Sequence, residues 1–436
     1  MTAPPPSLQD IASCVSGYDP TALPVAQAQE FIARLVPRVQ AVEKVAIRSA
    51  LGRVLARDIV SAINVPSHDN SAMDGYALRG ADLLHDAETV LQVVGTRFAG
   101  QRVSGDAIAA AQCVRIMTGA VMPAGLDTVV PQEFVKASGD SDSDTDRIRV
   151  PAGVVRTGDN RRLAGEDLAQ GEAALAAGRL LSPADLGLLA SLGQAEVPVL
   201  RRLRVAFFST GDELRSIGEP LDAGCVYDSN RYTLWGMLQR LGVDLIDMGV
   251  VRDDPLALEA AFRSAAETAD AVITSGGVSV GEADHTKQVM ASLGDVLFWR
   301  IAMRPGRPMA IGRITSAGHS AILFGLPGNP VAVMVTFYAF VRNALLAMSG
   351  AIAAPLPMLR AASVAAIRKK PGRTEYQRGI VTRASSGHWQ VEITGSQGSG
   401  ILRSMSQANG LVVLHHEQGN VEAGGPVDVL PFDGLV

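Results

Sequence analysis

Between residues 201 and 348 apolar runs alternate with amphipathic segments, and this rhythm constrains the fold more than any other feature. "RLRVAFFST" reads as a buried strand, and "SNRYTLWGMLQRLG" as a helix closed by Gly242. "VDLIDMGVV" is again a strand. "DDPLALEAAFRSAAETA" is a helix with Asp254 as N-cap and Pro255 at its first position. "DAVITSGG" is a third strand and "DHTKQVMASLG" a third helix. "VLFWRIAM", "PMAIGRI" and "AILFGL" follow as strands, and a long helix over 330–348 closes the set. Strands separated by helices require crossover connections. They predict a doubly wound, mainly parallel α/β sheet with helices on both faces. In such sheets ligands bind beyond the carboxyl ends of the strands, where the strand order reverses.

The flanking sequence has a different texture, and 436 residues exceed what one core usually serves. Residues 1–24 are Pro- and Ser-rich and predict a loose N-terminal segment. Residues 66–149 carry short β-like runs between Gly and Pro, as in "TVLQVVGTRFAG", and predict a β-rich inserted domain. It interrupts a mixed linker domain made of 25–65 and 150–200. "SPADLGLLASLG" in the second part is a helix with Ser182 as N-cap, Pro183 at its first position and Gly193 as its stop. Residues 201–350 form the α/β domain, and 355–436 predict a C-terminal β-barrel. The acidic "SGDSDSDTD" at 138–146 reads as an exposed loop.

Composition excludes several classes. A net charge of −5 argues against nucleic acid as a partner. Three separated cysteines form neither a disulfide framework nor a CxxC metal pair. "PVAVMVTFYAFVRNALLAMSG", the longest apolar stretch, is broken by Arg342 and Asn343 and predicts a buried helix rather than a membrane span. "MTAPPPSLQD" lacks the basic start and apolar run of a signal peptide. Together these predict a cytoplasmic protein.

Several polar loops fall where the strands end. "TSGGVSVGEADHTK" (274–287) offers Ser275, Gly276, Gly277 and Ser279, whose hydroxyls and N–H groups suit an anion. A plain Gly-rich connector is the competing reading. The stretch is neither a Walker A loop nor a dinucleotide fingerprint. Asp284 within it is a helix cap or a metal ligand. "STGDEL" (209–214) places Asp212 and Glu213 beside that loop, a setting that suits Mg²⁺ as well as a helix cap. "RPGRP" (304–308) sets Arg304 and Arg307 on a Pro-stiffened turn, matched to oxyanions unless it is only solvated. "GLPGNP" (325–330) is a rigid elbow between Pro327 and Pro330. "DNSAMDGYA", "RIMTGAVMP" and "NRRLAGED" supply Asp74, Thr118, Arg162 and Asp167, each readable alone as a turn or a charged surface loop. "LHHE" (414–417) is discounted as a metal site, because adjacent strand residues face opposite ways.

Taken in order, "DNSAMDGYA", "RIMTGA", "GED", "STGDEL", "RDDP", "SGGVSVGEAD", "PGRP" and "GLPGNPVA" resemble one family: molybdopterin molybdenumtransferase, the MoeA/gephyrin E-domain family. The resemblance runs from about residue 25 to the end. It implies that the α/β domain binds molybdopterin. The implied reaction inserts molybdate into adenylylated molybdopterin with Mg²⁺-dependent release of AMP. The implied cleft lies between the α/β and C-terminal domains of one subunit and the β-rich insertion of the other, so a homodimer is expected. Asp74, Asp167, Glu213 and Asp284 are the implied catalytic residues; Glu213, Asp284 and more weakly Asp253 are the implied metal ligands. Thr118, Arg162, Ser275, Gly276, Gly277, Ser279, Arg304, Arg307, Pro327, Pro330, Arg378 and Ser399 are the implied substrate-binding residues. The molybdopterin adenylyltransferase and molybdoenzyme chaperones stand as candidate partners. The adenylyltransferase activity itself and a gephyrin-like scaffold are the alternative functions. "RPGRP" departs from the lysine-bearing "KPGKP" usual in the family, and "NRRLAGED" carries Arg161 where an apolar residue is common.

Overall fold

A computed structural model describes residues 7–101, 107–137, 147–278, 285–352 and 355–434. The α/β sheet has six strands in the spatial order Asp244–Val251, Arg204–Thr210, Ala271–Ser275, His319–Leu326, Pro308–Ser316, Gly294–Arg300. The first four run parallel, and Pro308–Ser316 is antiparallel to both of its neighbours. The reason is visible in the first strand. Val205 and Phe207 point into one apolar cluster, with Leu234 and Leu238 of helix Ser229–Arg240. Ala206 and Phe208 point into another, with Leu258 and Phe262 of helix Pro255–Thr268. Both faces are covered, so the strand is apolar throughout. Each of its fully buried Phe side chains contributes about 1.5–3 kcal/mol by burial. The order reverses between Arg204–Thr210 and Ala271–Ser275. The loops after these two strands therefore meet at the switch point.

The other sheets surround this one. A six-stranded sheet spans residues 75–150, and its strands Thr89–Arg97 and Gln112–Ile116 pair in parallel. A further cluster joins Ala50, Leu55 and Ile59 to Leu175, Leu181, Leu189, Val197 and Val199, so two distant segments share one core. Toward the C-terminus, Thr374–Arg383, Trp389–Ile393, Leu359–Ser363, Pro426–Pro431 and Gly410–Leu414 close into a five-stranded barrel. Met303–Arg304 of the α/β region adds to its edge, pairing Arg304 with Glu375.

The N-terminus differs from the sequence reading. The expected loose segment is ordered from Ser7 onward. Ser7 and Asp10 form a capping box for helix Leu8–Ser13, and Leu8 and Ile11 insert into the α/β core. Tyr18 accepts a hydrogen bond from Trp299 Nε1 at 2.8 Å, tying the segment down further. Helix Val25–Leu35 also packs into that core through Phe31 and Ile32. Polar composition concealed this, because only every third or fourth residue is apolar. As the sequence predicts, helix Pro330–Met348, though long and apolar enough to cross a bilayer, lies largely inside the protein, with Val331, Val335, Phe340 and Leu345 in the core. Its middle, Phe337–Val341, widens into a π turn.

Candidate active site

The switch-point loop is shaped by two glycines. Ser275 ends its strand almost fully buried. Gly276 and Gly277 then adopt φ of +99° and +68°, which L side chains rarely accept. A Cβ at Gly276 would collide with the Thr210 carbonyl oxygen, and one at Gly277 would lie 2.5 Å from Thr286 Oγ1. The loop thus runs hard against the ends of two neighbouring elements. Ser279 and Asp284 lie outside the described residues. Lys287, on the following helix, places its ammonium 6.0 Å from the Phe298 ring centroid.

Around this loop gather polar groups that sequence reasoning missed. Asp228, 2% exposed, caps helix Ser229–Arg240 by accepting from Arg231 N at 3.1 Å, and accepts from Ser209 Oγ at 3.0 Å. Its other oxygen is buried without a hydrogen-bond partner among the described residues, as are Thr210 Oγ1, Thr274 Oγ1 and Asn230 Oδ1. Buried polar atoms are nearly always paired, so four orphans at one set of strand ends mark a place built for something polar. Asn230 Nδ2 donates to Ser275 Oγ at 2.7 Å and to the Gly328 carbonyl at 2.6 Å. The only local signal was a helix start in "YDSNRY".

The acids expected here divide. Glu213 is exposed and folds its carboxylate back over Gly211. Asp212 rather than Glu213 meets the next loop, its Oδ1 accepting from Asp253 N at 3.3 Å. Asp253 in turn accepts from Thr286 Oγ1 at 3.3 Å. Loops following three strands are thereby linked through Asp212, Asp253 and Thr286. Among the described residues no three His, Cys, Asp or Glu side chains converge as a metal cluster.

The elbow after the fourth parallel strand leads to a second region. Gly276 N donates to the Leu326 carbonyl at 3.1 Å, so the anion loop and the elbow are adjacent. Arg304, Arg307, Pro327, Asn329 and Ser399 line an open chamber of about 460 Å³ there. Arg304 and Arg307 are exposed and have no ion-pair partner among the described residues. Pro330 starts the helix behind the elbow, and Val331 N donates to the Ser399 carbonyl at 3.0 Å. Arg378 behaves differently. It is 0% exposed. Its guanidinium donates to the carbonyls of Ser396, Gln397 and Gly398 at 3.2, 3.2 and 2.9 Å and to Ser404 Oγ at 2.9 Å. Burial, and then the Arg304 charge, pull it below the usual guanidinium range. Arg378 therefore shapes the loop that carries Ser399.

Asp74 and Thr118 meet at the edge of the 75–150 sheet, and Arg162 lies on a separate two-stranded ladder. Asp74 Oδ1 accepts from both Thr118 N and Thr118 Oγ1 at 2.7 Å. These bonds, the backbone one foremost, hold the exposed carboxyl below its ordinary range. Arg162 pairs with Asn70 across a two-residue ladder, and Ala72 N donates to the Asn160 carbonyl. Asp167 is exposed, with its N–H on the Val65 carbonyl. Among the described residues no hydrogen bond or ion pair joins these residues to the anion loop or the arginine chamber of the same chain.

Comparisons with known proteins cover almost the whole length. Residues 23–193 match the MoeA N-terminal region (domain I and II), 206–347 a probable molybdopterin binding domain, and 360–432 the MoeA C-terminal region (domain IV). The chain is 41% identical to a molybdopterin molybdenumtransferase of Haemophilus influenzae, over 94% of this chain and 98% of that one. It is 35% identical to a protein of the same name from Nostoc sp., over 93% of each. A crystal structure of the molybdopterin biosynthesis moeA protein from Pyrococcus horikoshii superposes with a TM-score of 0.79 at 27% identity, covering 94% of this chain and 100% of that one.

Proposed function

The chain belongs to the MoeA family, and from that premise we propose that it inserts molybdate into adenylylated molybdopterin and releases AMP. The chain is an enzyme of molybdenum cofactor biosynthesis, a transferase. The carrying observation is the adjacency of two unlike anion sites. A glycine-built loop lies against a chamber whose two arginines have no ion-pair partner among the described residues. The loop suits the phosphate of an adenylyl group, and the chamber suits a tetrahedral dianion.

The chemistry balances without a redox partner. Molybdate takes the two sulfurs of the enedithiol, and one oxo group leaves as water with the two thiol protons. Water then adds to the pyrophosphate, whose P–O–P bond breaks to AMP and the pterin phosphate monoester. Arg304 and Arg307 hold the oxyanion by charge. Ser275 and the Gly276–Gly277 backbone hold the adenylyl phosphate. Ser279 and Asp284 extend that loop in sequence and are assigned to the same phosphate and its counter-ion.

Mg²⁺ fits the residues at this mouth. Asp212 Oδ1 accepts from the Asp253 backbone N–H, which sets these two acids on touching loops. Mg²⁺ needs only one or two carboxylates when phosphates and waters complete its shell. Bound there, it would neutralise charge on the leaving phosphate.

We place Asp74, Thr118, Arg162 and Asp167 in the cleft of a second copy. Asp74 and Thr118 are preorganised by two hydrogen bonds, and among the described residues no hydrogen bond or ion pair ties these four to the chamber of their own chain, which supports a homodimeric site. The adenylyltransferase alternative is not favoured: relatives matched over nearly their full length carry the molybdenumtransferase name. The test is AMP release from adenylylated molybdopterin, with and without molybdate.

A further inference from the structure

The β-rich insertion carries a cavity of its own. It has a volume of about 710 Å³ and lies between the turn after strand Gly75–Leu78 and the segment 151–157 that leaves the insertion. That volume is within the roughly 300–1,000 Å³ typical of small-ligand pockets. No residue that lines it lines the arginine chamber. Asp74 stands at the other end of the same strand, and four residues at about 3.3 Å each put roughly 13 Å between them. The cavity is therefore a place apart from the residues given roles above.

Both walls are pinned by the chain's own hydrogen bonds. Asp127 Oδ1 accepts from Gly80 N on one wall at 2.7 Å, and from Thr128 Oγ1 at 2.8 Å. Thr128 Oγ1 in turn accepts from Gly158 N on the other wall at 3.0 Å. Leu84 N donates to Thr89 Oγ1 at 2.8 Å, and Arg156 N to Asp159 Oδ2 at 2.7 Å. Gly80 and Thr157 close one end, where a Cβ on Gly80 would lie 2.5 Å from Thr157 Cγ2. Walls held in this way spare a ligand the entropy of ordering them.

The lining favours one sign of charge. His85 and Arg156 are its ionisable side chains, both exposed and without an ion-pair partner among the described residues, and no carboxylate lines it. The nearby acids are already engaged: Asp127 and Asp159 accept the bonds just given, and Asp82 accepts from Ala111 N at 3.0 Å. The backbone N–H groups of Val155 and Thr157 have no hydrogen-bond partner among the described residues. Leu83 and Val155 rest against the apolar cluster of Leu91, Ile148 and Val150, and Leu84 is 54% exposed at the rim. We propose that this cavity binds a small organic anion, with its oxyanion head at Arg156 and His85 and a compact apolar body over Leu83 and Leu84. A guanidinium fork and backbone N–H groups are the donors that a carboxylate or phosphate accepts from. The leucines gain by covering the rest of the ligand.

The test uses the full chain, with excess AMP and molybdate in the buffer to occupy the cleft, and fluorine NMR of three probes. These are 4-fluorobenzoate, 4-fluorophenyl phosphate and the neutral 4-fluorobenzyl alcohol. Saturable line broadening is expected for both anions and not for the alcohol. Arg156→Ala weakens anion binding about tenfold, the loss of a charge-assisted hydrogen bond. Leu84→Asp, which sets a negative charge beside the anion, weakens it by about the same factor or more. Both residues are exposed, so thermal melts of the two variants stay close to wild type. Arg304→Ala in the arginine chamber leaves anion binding within about twofold. Absence of saturable broadening by either anion, equal affinity for the alcohol, or equal affinity in folded Arg156→Ala overturns the site. Binding that is lost in Arg304→Ala and kept in Arg156→Ala places the probe in the cleft and overturns it as well.

Discussion

One amide nitrogen of Asn230 bonds both Ser275 Oγ, at 2.7 Å, and the Gly328 carbonyl, at 2.6 Å. Ser275 opens the anion loop and Gly328 lies in the elbow of the arginine chamber. This one side chain therefore helps fix the separation of the two subsites, beside the Gly276 N–H bond to the Leu326 carbonyl. Asn230→Ala is expected to slow AMP release about ten- to a hundredfold, equivalent to roughly 1.5–3 kcal/mol of lost positioning. The melting temperature should stay close to wild type. Steady-state kinetics and a thermal melt distinguish this from general destabilisation.

Gly276 carries a second expectation. Its φ of +99° and its closeness to the Thr210 carbonyl leave no room for a methyl group. Gly276→Ala should cost about 1–3 kcal/mol of local strain and displace the loop. Isothermal titration with AMP should show weakened binding, whereas oxyanion binding at Arg304 should persist.

Arg378 and Arg304 should separate by phenotype although both are arginines of one region. Arg378 is buried with its donors on carbonyls, so Arg378→Ala leaves a void and removes the donor of three half-buried or exposed loop carbonyls. A loss of about 3–5 kcal/mol is expected in denaturant melts. Arg304 is exposed, so Arg304→Ala should leave stability within about 0.5 kcal/mol while abolishing molybdate-dependent turnover.

The composite site predicts complementation. Asp74→Ala and Arg304→Ala chains should each be inactive, because each damages one half of both clefts in a homodimer. Mixed dimers contain one cleft with both halves intact. Co-refolded or co-expressed mixtures should regain a substantial part of wild-type AMP release. Failure to regain any, with dimers verified by light scattering, would exclude a shared cleft.

Asp270 gives a pH dependence. Burial pushes its carboxyl up, but hydrogen bonds from Arg201 and the Arg204 N–H, with both arginine charges, outweigh burial and depress it. A depressed carboxyl contributes stability above its unfolded pKa of about 3.9 and loses it as pH falls through the folded value. Asp270→Asn should therefore cost about 2 kcal/mol near pH 7, and the gap to wild type should close as pH falls below about 4. Urea melts across that range read it directly.

The fold was legible where local rules acted. Asp254 with Pro255, and Ser182 with Pro183, begin helices in the way their chemistry dictates. Two-sided burial of Phe207 and Phe208 follows from an unbroken apolar run. The missed features depend on long-range geometry. Asn230 looked like part of a helix start, and its partners lie 45 and 98 residues away in sequence. Arg378 was implied only as a substrate-binding residue. The short helix Leu402–Gln407, which supplies one of its acceptors through Ser404, has no capping side chain to announce it. The N-terminal segment seemed loose because its apolar residues are few, although Leu8 and Ile11 find a prepared surface. Asp74 and Thr118 could be named from their motifs, but only the structure shows that they bond each other.

The most direct test of the central claim is AMP release by the purified chain from adenylylated molybdopterin with Mg²⁺. Release that depends on molybdate, is lost in Arg304→Ala, and leaves a molybdenum-loaded pterin is the predicted result. Formation of adenylylated product from molybdopterin and ATP, or no AMP release with molybdate present, would contradict it.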